Sequence, residues 1–307
     1  MNTNSHSPVL VGYDASYPGE RALRWAITEA HLRQRPLLVC HAWNWPYPFR
    51  QQDAHALEIV HGMGQMVVEA GVRRAHELSH GLEVRPLLQR GTAPAALLGA
   101  ARTAELVVLG ARGTGGFDEL RVGSAAVQVP AHADRPVIVV PPGELPPRRD
   151  GIRIVAGVDG SVASEAALEF AFVEAELRDL PVTAVCGWWD PSAMPGPDNM
   201  PFTDPEALKE HVKAKFERAV SLAEKRHPKV PAETRFVMRK PQDALTEIAR
   251  GATLLVVGNR GAGAAPQELL GAVTRTVLHN APCPVAIVHE SGGQDAPERA
   301  GPPTSAG

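Results

Sequence analysis

The chain is short of cysteine, aromatics, excess charge and long apolar runs, and each shortage excludes something. Three cysteines in 307 residues, Cys40, Cys186 and Cys283, with no CxxC pair, cannot make a disulfide scaffold and point to a reducing compartment. Aromatics are only 5%, so the core must be built from Ala, Val, Leu and Ile. The 31 Lys+Arg nearly balance the 34 Asp+Glu, which excludes a protein that holds nucleic acid by bulk charge. No apolar run approaches the ~18 residues of a membrane span. The amino terminus, MNTNSHSP, lacks a basic stretch followed by an apolar run, so no signal peptide is expected. A soluble cytoplasmic protein is the expectation. Also missing are GxxxxGK[ST], a GxGxxG after the first strand, and GxSxG, which argues against a P-loop NTPase, a dinucleotide site and a nucleophile elbow.

What is present is present twice. Val11-Gly12-Tyr13-Asp14-Ala15-Ser16 returns as Ala156-Gly157-Val158-Asp159-Gly160-Ser161, 145 positions later. LVVLGARG, ending at Gly113, returns as LLVVGNRG, ending at Gly261, and RPVIVV (135–140) as CPVAIV (283–288), both at an offset of 148. Cys40 and Cys186 also fall at matching points. A slow drift in offset means two homologous halves with small loop insertions. Between them, PPGELPPRRDG (141–151) is too rich in Pro and Gly for helix or inner strand and reads as a linker. The expected organisation is a disordered start over 1–8, a first domain over 9–140, the linker over 141–151, a second domain over 152–289 and a disordered tail over 290–307.

Within each half, strand-length apolar runs alternate with helical periodicity. Strands are predicted at 9–13, 37–42, 82–89, 106–109 and 137–140, and again near 152–158, 182–186, 234–238, 254–257 and 285–288. Helices are predicted near 20–33, 54–80, 93–102 and 124–133. The pattern implies α/β architecture, two tandem five-stranded parallel-sheet sandwiches with helices on both faces. Ligands of such sheets sit beyond the carboxyl ends of the strands.

The richest constellation follows the fourth strand. Gly110-Ala111-Arg112-Gly113, then nine residues, then Gly123-Ser124 opening a helix, suits a phosphate chain. Glycines permit a tight turn with exposed N–H groups, and a helix start adds donors and a positive dipole end. The plainer alternative is a glycine-rich surface turn. The repeat in the second half, Gly258-Asn259-Arg260-Gly261 with Gly271 after nine residues, favours the cradle. There Ala272 stands where the first half has Ser124, so the second site should be the weaker. Asp14 and Asp159 end the first strand of each half. Either they meet a ligand or a phosphate-bound metal, or they cap the next helix, a job Ser16 and Ser161 could also do.

VGYDAS, the strand–GARG–nine–GS loop and RPVIVV together resemble the universal stress protein family. AGVDGS, GNRG–nine–GA and APCPVAIV do so for the second half, and the likeness spans Val9 to Val288. It implies an adenine-nucleotide alpha-hydrolase-like fold of strand order 3-2-1-4-5, and ATP as ligand, with Mg²⁺ accompanying it. It also implies self-association through the last strand of each domain, an unidentified regulatory protein partner, and a role in the stress response. By position it places Gly12, Asp14, Val39, Gly110, Ala111, Arg112, Gly113, Thr114, Gly115, Gly116, Gly123, Ser124 and Ala125 around a nucleotide in domain 1. In domain 2 the set is Gly157, Asp159, Val185, Gly258, Asn259, Arg260, Gly261, Ala262, Gly263, Gly271, Ala272 and Val273. Backbone near Val39–Cys40 and Val185–Cys186 would be the adenine edge. Asp14 is the one protein group expected to approach a metal, and no catalytic residue is assigned.

Three functions follow from this: a nucleotide-dependent regulatory protein with little or no catalysis, a slow nucleotide hydrolase or nucleotidyl-transferring enzyme in the same cleft, or a non-binding dimerisation scaffold. Two further signals have plain explanations. His76-Glu77-Leu78-Ser79-His80 matches HExxH, but it sits at a predicted helix end beside Gly81 and has no counterpart in the second half. Trp43, Trp45, Tyr47 and Phe49, echoed by Trp188 and Trp189, either cover the cleft or pack a long loop.

Overall fold

A computed structural model describes residues 7–45, 53–113, 122–143, 152–189, 204–262 and 269–290. The first half runs β1 (Val9–Gly12), α1 (Tyr17–Arg33), β2 (Leu37–Trp43), α2 (Ala54–Leu78), β3 (Val84–Arg90), α3 (Ala93–Ala101), β4 (Leu106–Gly110), α4 (Ser124–His132) and β5 (Val137–Val140). The second repeats it with β6 (Ile154–Gly157), α5 (Val162–Arg178), β7 (Val182–Gly187), α6 (Pro205–Arg226), β8 (Ala232–Val237), α7 (Pro241–Ile248), β9 (Leu254–Gly258), α8 (Ala272–Asn280) and β10 (Val285–Val288).

All ten strands form one sheet, in the order β3-β2-β1-β4-β5-β10-β9-β6-β7-β8. Each half is parallel and follows 3-2-1-4-5. The halves join where β5 and β10 pair antiparallel, with Val139 opposite Val285 and Val137 opposite Ile287. Central strands such as VIVV and VAIV are buried throughout, because helices cover both faces. The outer strands β3 and β8 are half exposed, and Pro86 is tolerated in β3 because that strand lies at the edge.

Helix starts follow local chemistry. The Ser16 hydroxyl accepts from the Gly19 N–H at 3.1 Å, and Ser161 does the same for Ser164 at 3.2 Å. Pro18 lies within the first two positions of α1, where a missing N–H costs nothing, so the helix begins at Tyr17 and not at the predicted Glu20. The predicted Cys40–Cys186 correspondence fails. In the sheet Cys40 lies beside Gly12 and Val185 beside Gly157, so Val185 is the counterpart of Cys40 and Cys186 that of His41. The two thiols thus lie in opposite core layers. A one-residue slip in a strand exchanges faces.

Helices α1 and α5 meet across the junction through a buried ionic tetrad. Glu29 and Glu174 are fully buried, and Arg33 and Arg178 nearly so. Arg33 pairs with Glu174, and Arg178 with both Glu29 and Glu174. Arg33 also lies 3.6 Å from Glu29. Burial and the charge of Glu174 push the Glu29 carboxyl up to about 7, against the pull of Arg178 and Arg33.

Candidate functional site

At the carboxyl ends of β1 and β4 the first half holds a cleft of about 360 Å³. Its position is the crevice that this strand order predicts. Two loops form the floor. The β1–α1 turn is drawn tight by Asp14, whose Oδ1 accepts from the Ser16 N–H at 3.1 Å and from the Ser16 hydroxyl at 2.5 Å. Ala15 at the centre of that turn takes φ 59°, a left-handed value. The β4–α4 loop comes so close that a Cβ on Gly113 would lie 2.6 Å from Asp14 Oδ2. In the second half a Cβ on Gly261 would likewise lie 2.5 Å from Asp159 Oδ2, and that oxygen accepts from the Ala262 N–H at 2.8 Å. The serines cap the helices and the aspartates hold the two loops in place.

Gly123 departs from expectation. Its N–H donates to the Ala111 carbonyl at 2.8 Å and closes the loop, so it is not a donor for an anion. Gly271 repeats this with Asn259 at 2.9 Å. The first turn of α4, beginning at Ser124 and without a side-chain cap, supplies the donors instead. A Cβ on Gly123 would meet only ordinary contacts, 3.6 Å from Arg112 Cα and 3.8 Å from the Gly113 nitrogen. It would stand between the loop and the helix start, the space an anion would use.

Of the residues expected in the first half, Gly12, Asp14, Gly110, Ala111, Arg112, Gly113, Gly123, Ser124 and Ala125 line the cleft. Thr114, Gly115 and Gly116 lie outside the described residues. The Val39 side chain faces the other layer, where its Cγ1 packs toward Gly71. Cys40, His41 and Ala42 line the cleft in its place. Sequence reading missed His41 because the run reads as uninterrupted strand. His41 Nδ1 lies 2.8 Å from the Tyr13 carbonyl oxygen, which can only accept. The proton therefore sits on Nδ1 and leaves Nε2 an acceptor in the neutral ring. Burial pushes the Cys40 thiol up to about 12, so it behaves as a small apolar side chain. Burial, and then its hydrogen bond to Glu20, also raise the Tyr13 hydroxyl.

The second-half cleft holds about 90 Å³. Gly157, Asp159, Val185, Gly258, Arg260, Gly261 and Val273 line it, whereas Asn259, Ala262, Gly271 and Ala272 are not in its lining. Gly263 lies outside the described residues. The cause of the narrowing is local. Gly187 lets α7 dock so closely that a Cβ there would lie 2.6 Å from Pro241 Cα. The first half has Ala42 and Ala93 at these places, and Val273 is larger than its counterpart Ala125.

Among the described residues no group of three His, Cys, Asp or Glu side chains is placed to hold a metal. The HExxH match is broken by the end of α2 at Leu78, with Ser79 bonded to His31 and Glu77 to Arg74. Trp43 packs on His61 and under Arg90 and is not in the cleft lining, and Lys240 lies over Trp189. Tyr47 and Phe49 lie outside the described residues. No described helix is long and apolar enough to cross a membrane.

Comparison with known proteins agrees with this architecture. A universal stress protein of Mycobacterium tuberculosis is 33% identical over 303 residues, covering 94% of this chain and 98% of that one. One from Mycolicibacterium smegmatis is 30% identical over 291 residues, covering 91% and 96%. The crystal structure of a universal stress protein from Archaeoglobus fulgidus has the same fold, with a TM-score of 0.65 at 16% identity over 93% of this chain and 99% of that one. The profile of the universal stress protein family matches twice, over residues 6–141 and 152–289, so the chain belongs to that family, with the family's domain in tandem.

Proposed function

We propose that the first-half cleft binds one adenine nucleotide, with ATP accompanied by Mg²⁺ as the expected form, and that the chain acts as a nucleotide-dependent regulatory protein. The observation that carries this reading is the pairing of a 360 Å³ cavity with an uncapped helix start and a glycine-rich loop. That volume falls within the roughly 300–1,000 Å³ of small-molecule sites, and 90 Å³ does not. The Ser124 end of α4 and the Gly113 loop would take the phosphates. The Nε2 acceptor of His41 would suit the donor amino group of adenine.

Turnover should be slow or absent. Asp14 is the only carboxylate among the described residues of the lining, and Ser16 already donates twice to it. The phosphates would provide most of the Mg²⁺ ligands, with Asp14 as the one protein group near them. A regulatory outcome requires nucleotide to contact two states of the protein differently, since ligand shifts an equilibrium only by differential affinity. The second half is read as a scaffold, on the strength of the Gly187–Pro241 closure.

Titration calorimetry of nucleotide-stripped protein with Mg·ATP tests this. One site per chain is expected, lost in Gly123→Asp and retained in Gly271→Asp. Two sites would overturn the scaffold reading of the second half, and no heat in the wild type would overturn nucleotide binding altogether.

A further inference from the structure

A separate cavity of about 1100 Å³ lies between the two halves, walled by the outer face of α1 and Arg74 of α2 on one side. Ile152, Leu177, Leu180 and Thr253 of the second half form the other side. Four arginines reach it, against the single carboxylate of Glu20. Two of the four are accounted for. Arg74 pairs with Glu77 at 2.8 Å and Glu20 at 3.4 Å, and Arg178 belongs to the tetrad. Arg21 and Arg24 pair with no carboxylate among the described residues. Arg21 Nε and Trp25 Nε1 are both buried without an acceptor. Both atoms lie out of reach of solvent and so belong to the wall; the donors open to the groove are the outer nitrogens of Arg21 and the Arg24 guanidinium.

The second half shows that the fold does not need these groups. The residues equivalent to Arg21, Arg24 and Trp25, 145 positions on, are Ala166, Glu169 and Phe170. Trp25 lies under Arg178 at 5.7 Å and Phe170 under Arg33 at 5.8 Å, so the ring alone suffices for that packing. The indole N–H and the two guanidinium groups are additions peculiar to one side of the junction. Residues 21, 24, 25 and 28 fall on one helical face, so the donors converge on the same space.

We propose that this inter-half groove is a second ligand site, for a small polyanion carrying phosphate groups. Guanidinium forks match phosphate oxygens in pairs. The volume exceeds what a lone phosphate needs, so the ligand is a phosphorylated molecule of metabolite size.

The probe is inorganic tripolyphosphate, titrated by calorimetry into the full chain at about 0.15 M salt, where exposed charges beyond ~8 Å are screened. Binding is expected in the wild type and, at this site, in Gly123→Asp. It should weaken at least about tenfold in Arg21→Ala/Arg24→Ala. Trp25→Phe should leave both affinity and thermal midpoint unchanged, because the ring is kept and the indole N–H is out of a ligand's reach. Absence of binding in the wild type, full loss in Gly123→Asp, or unaltered affinity in Arg21→Ala/Arg24→Ala would each overturn the proposal.

Discussion

The two halves share a frame and differ in what the frame encloses. Strand order, helix caps, the Asp-to-loop contact and the loop closure by Gly123 or Gly271 are repeated almost atom for atom. Yet one cleft holds about 360 Å³ and the other about 90 Å³. The difference comes from small substitutions, Ala42 to Gly187, Ala93 to Pro241 and Ala125 to Val273, none of which touches the glycine motif. A motif can therefore persist because it builds the loops, after the space above them has closed.

Three measurements break or sharpen this comparison. The tetrad is where the halves are most alike, and protonation is the way to upset that likeness. The Glu29 carboxyl is raised from its ordinary 4.5 to about 7, so across that window the folded state holds a proton the unfolded state has released. The stability this contributes is full below the unfolded value and is lost as pH rises through about 7. Unfolding midpoints followed from pH 5 to pH 8 should fall, and Glu29→Gln should flatten that slope. An unchanged slope in the variant would remove Glu29 as its source.

A compensated pair of substitutions comes next. Tyr13 packs against Gly71, where a Cβ would lie 2.6 Å from the ring, whereas the second half has Val158 and Ala219 at these places. Gly71→Ala should cost about 1–3 kcal/mol by overpacking. Adding Tyr13→Val should recover most of that loss in denaturant unfolding, and purely additive losses would show that the two positions are not coupled. The smallest effect concerns the turn after β1, with Ala15 at φ 59° and Gly160 at φ 77°. Ala15→Gly should stabilise by about 0.5–1 kcal/mol, since Ala is strained at positive φ. Gly160→Ala should lose about as much, because an L side chain is strained at φ 77°.

Sequence periodicity carried the ten strands and their order of appearance because buried parallel strands read as continuous Val/Ile/Leu runs. It also located the loop of the first cleft, since glycine spacing reports backbone geometry directly. It did not distinguish which face of β2 borders the cleft, so Val39 was paired with Cys40 while His41 and Ala42 were passed over. A strand buried on both faces lacks the alternation that sets register. Nor could it foresee that the Gly123 N–H is used internally, or that Pro241 closes the second cleft. Both depend on contacts between segments far apart in the chain. The Arg21, Arg24 and Trp25 cluster reads in sequence as an ordinary solvated helix face, and only the docking of α5 turns it into a wall.

The antiparallel seam also sets a schedule for biosynthesis. Val139 has no lateral partner on that side until Val285 has been made. At elongation rates of about 5–20 residues per second, the interval on the ribosome is roughly 7–30 s. Throughout it, a fully apolar strand end of an otherwise complete first half stands open to any other unpaired edge, including that of a neighbouring nascent copy. An edge left open in this way would be free to pair with another copy, so prompt delivery of the second half would favour the intramolecular seam.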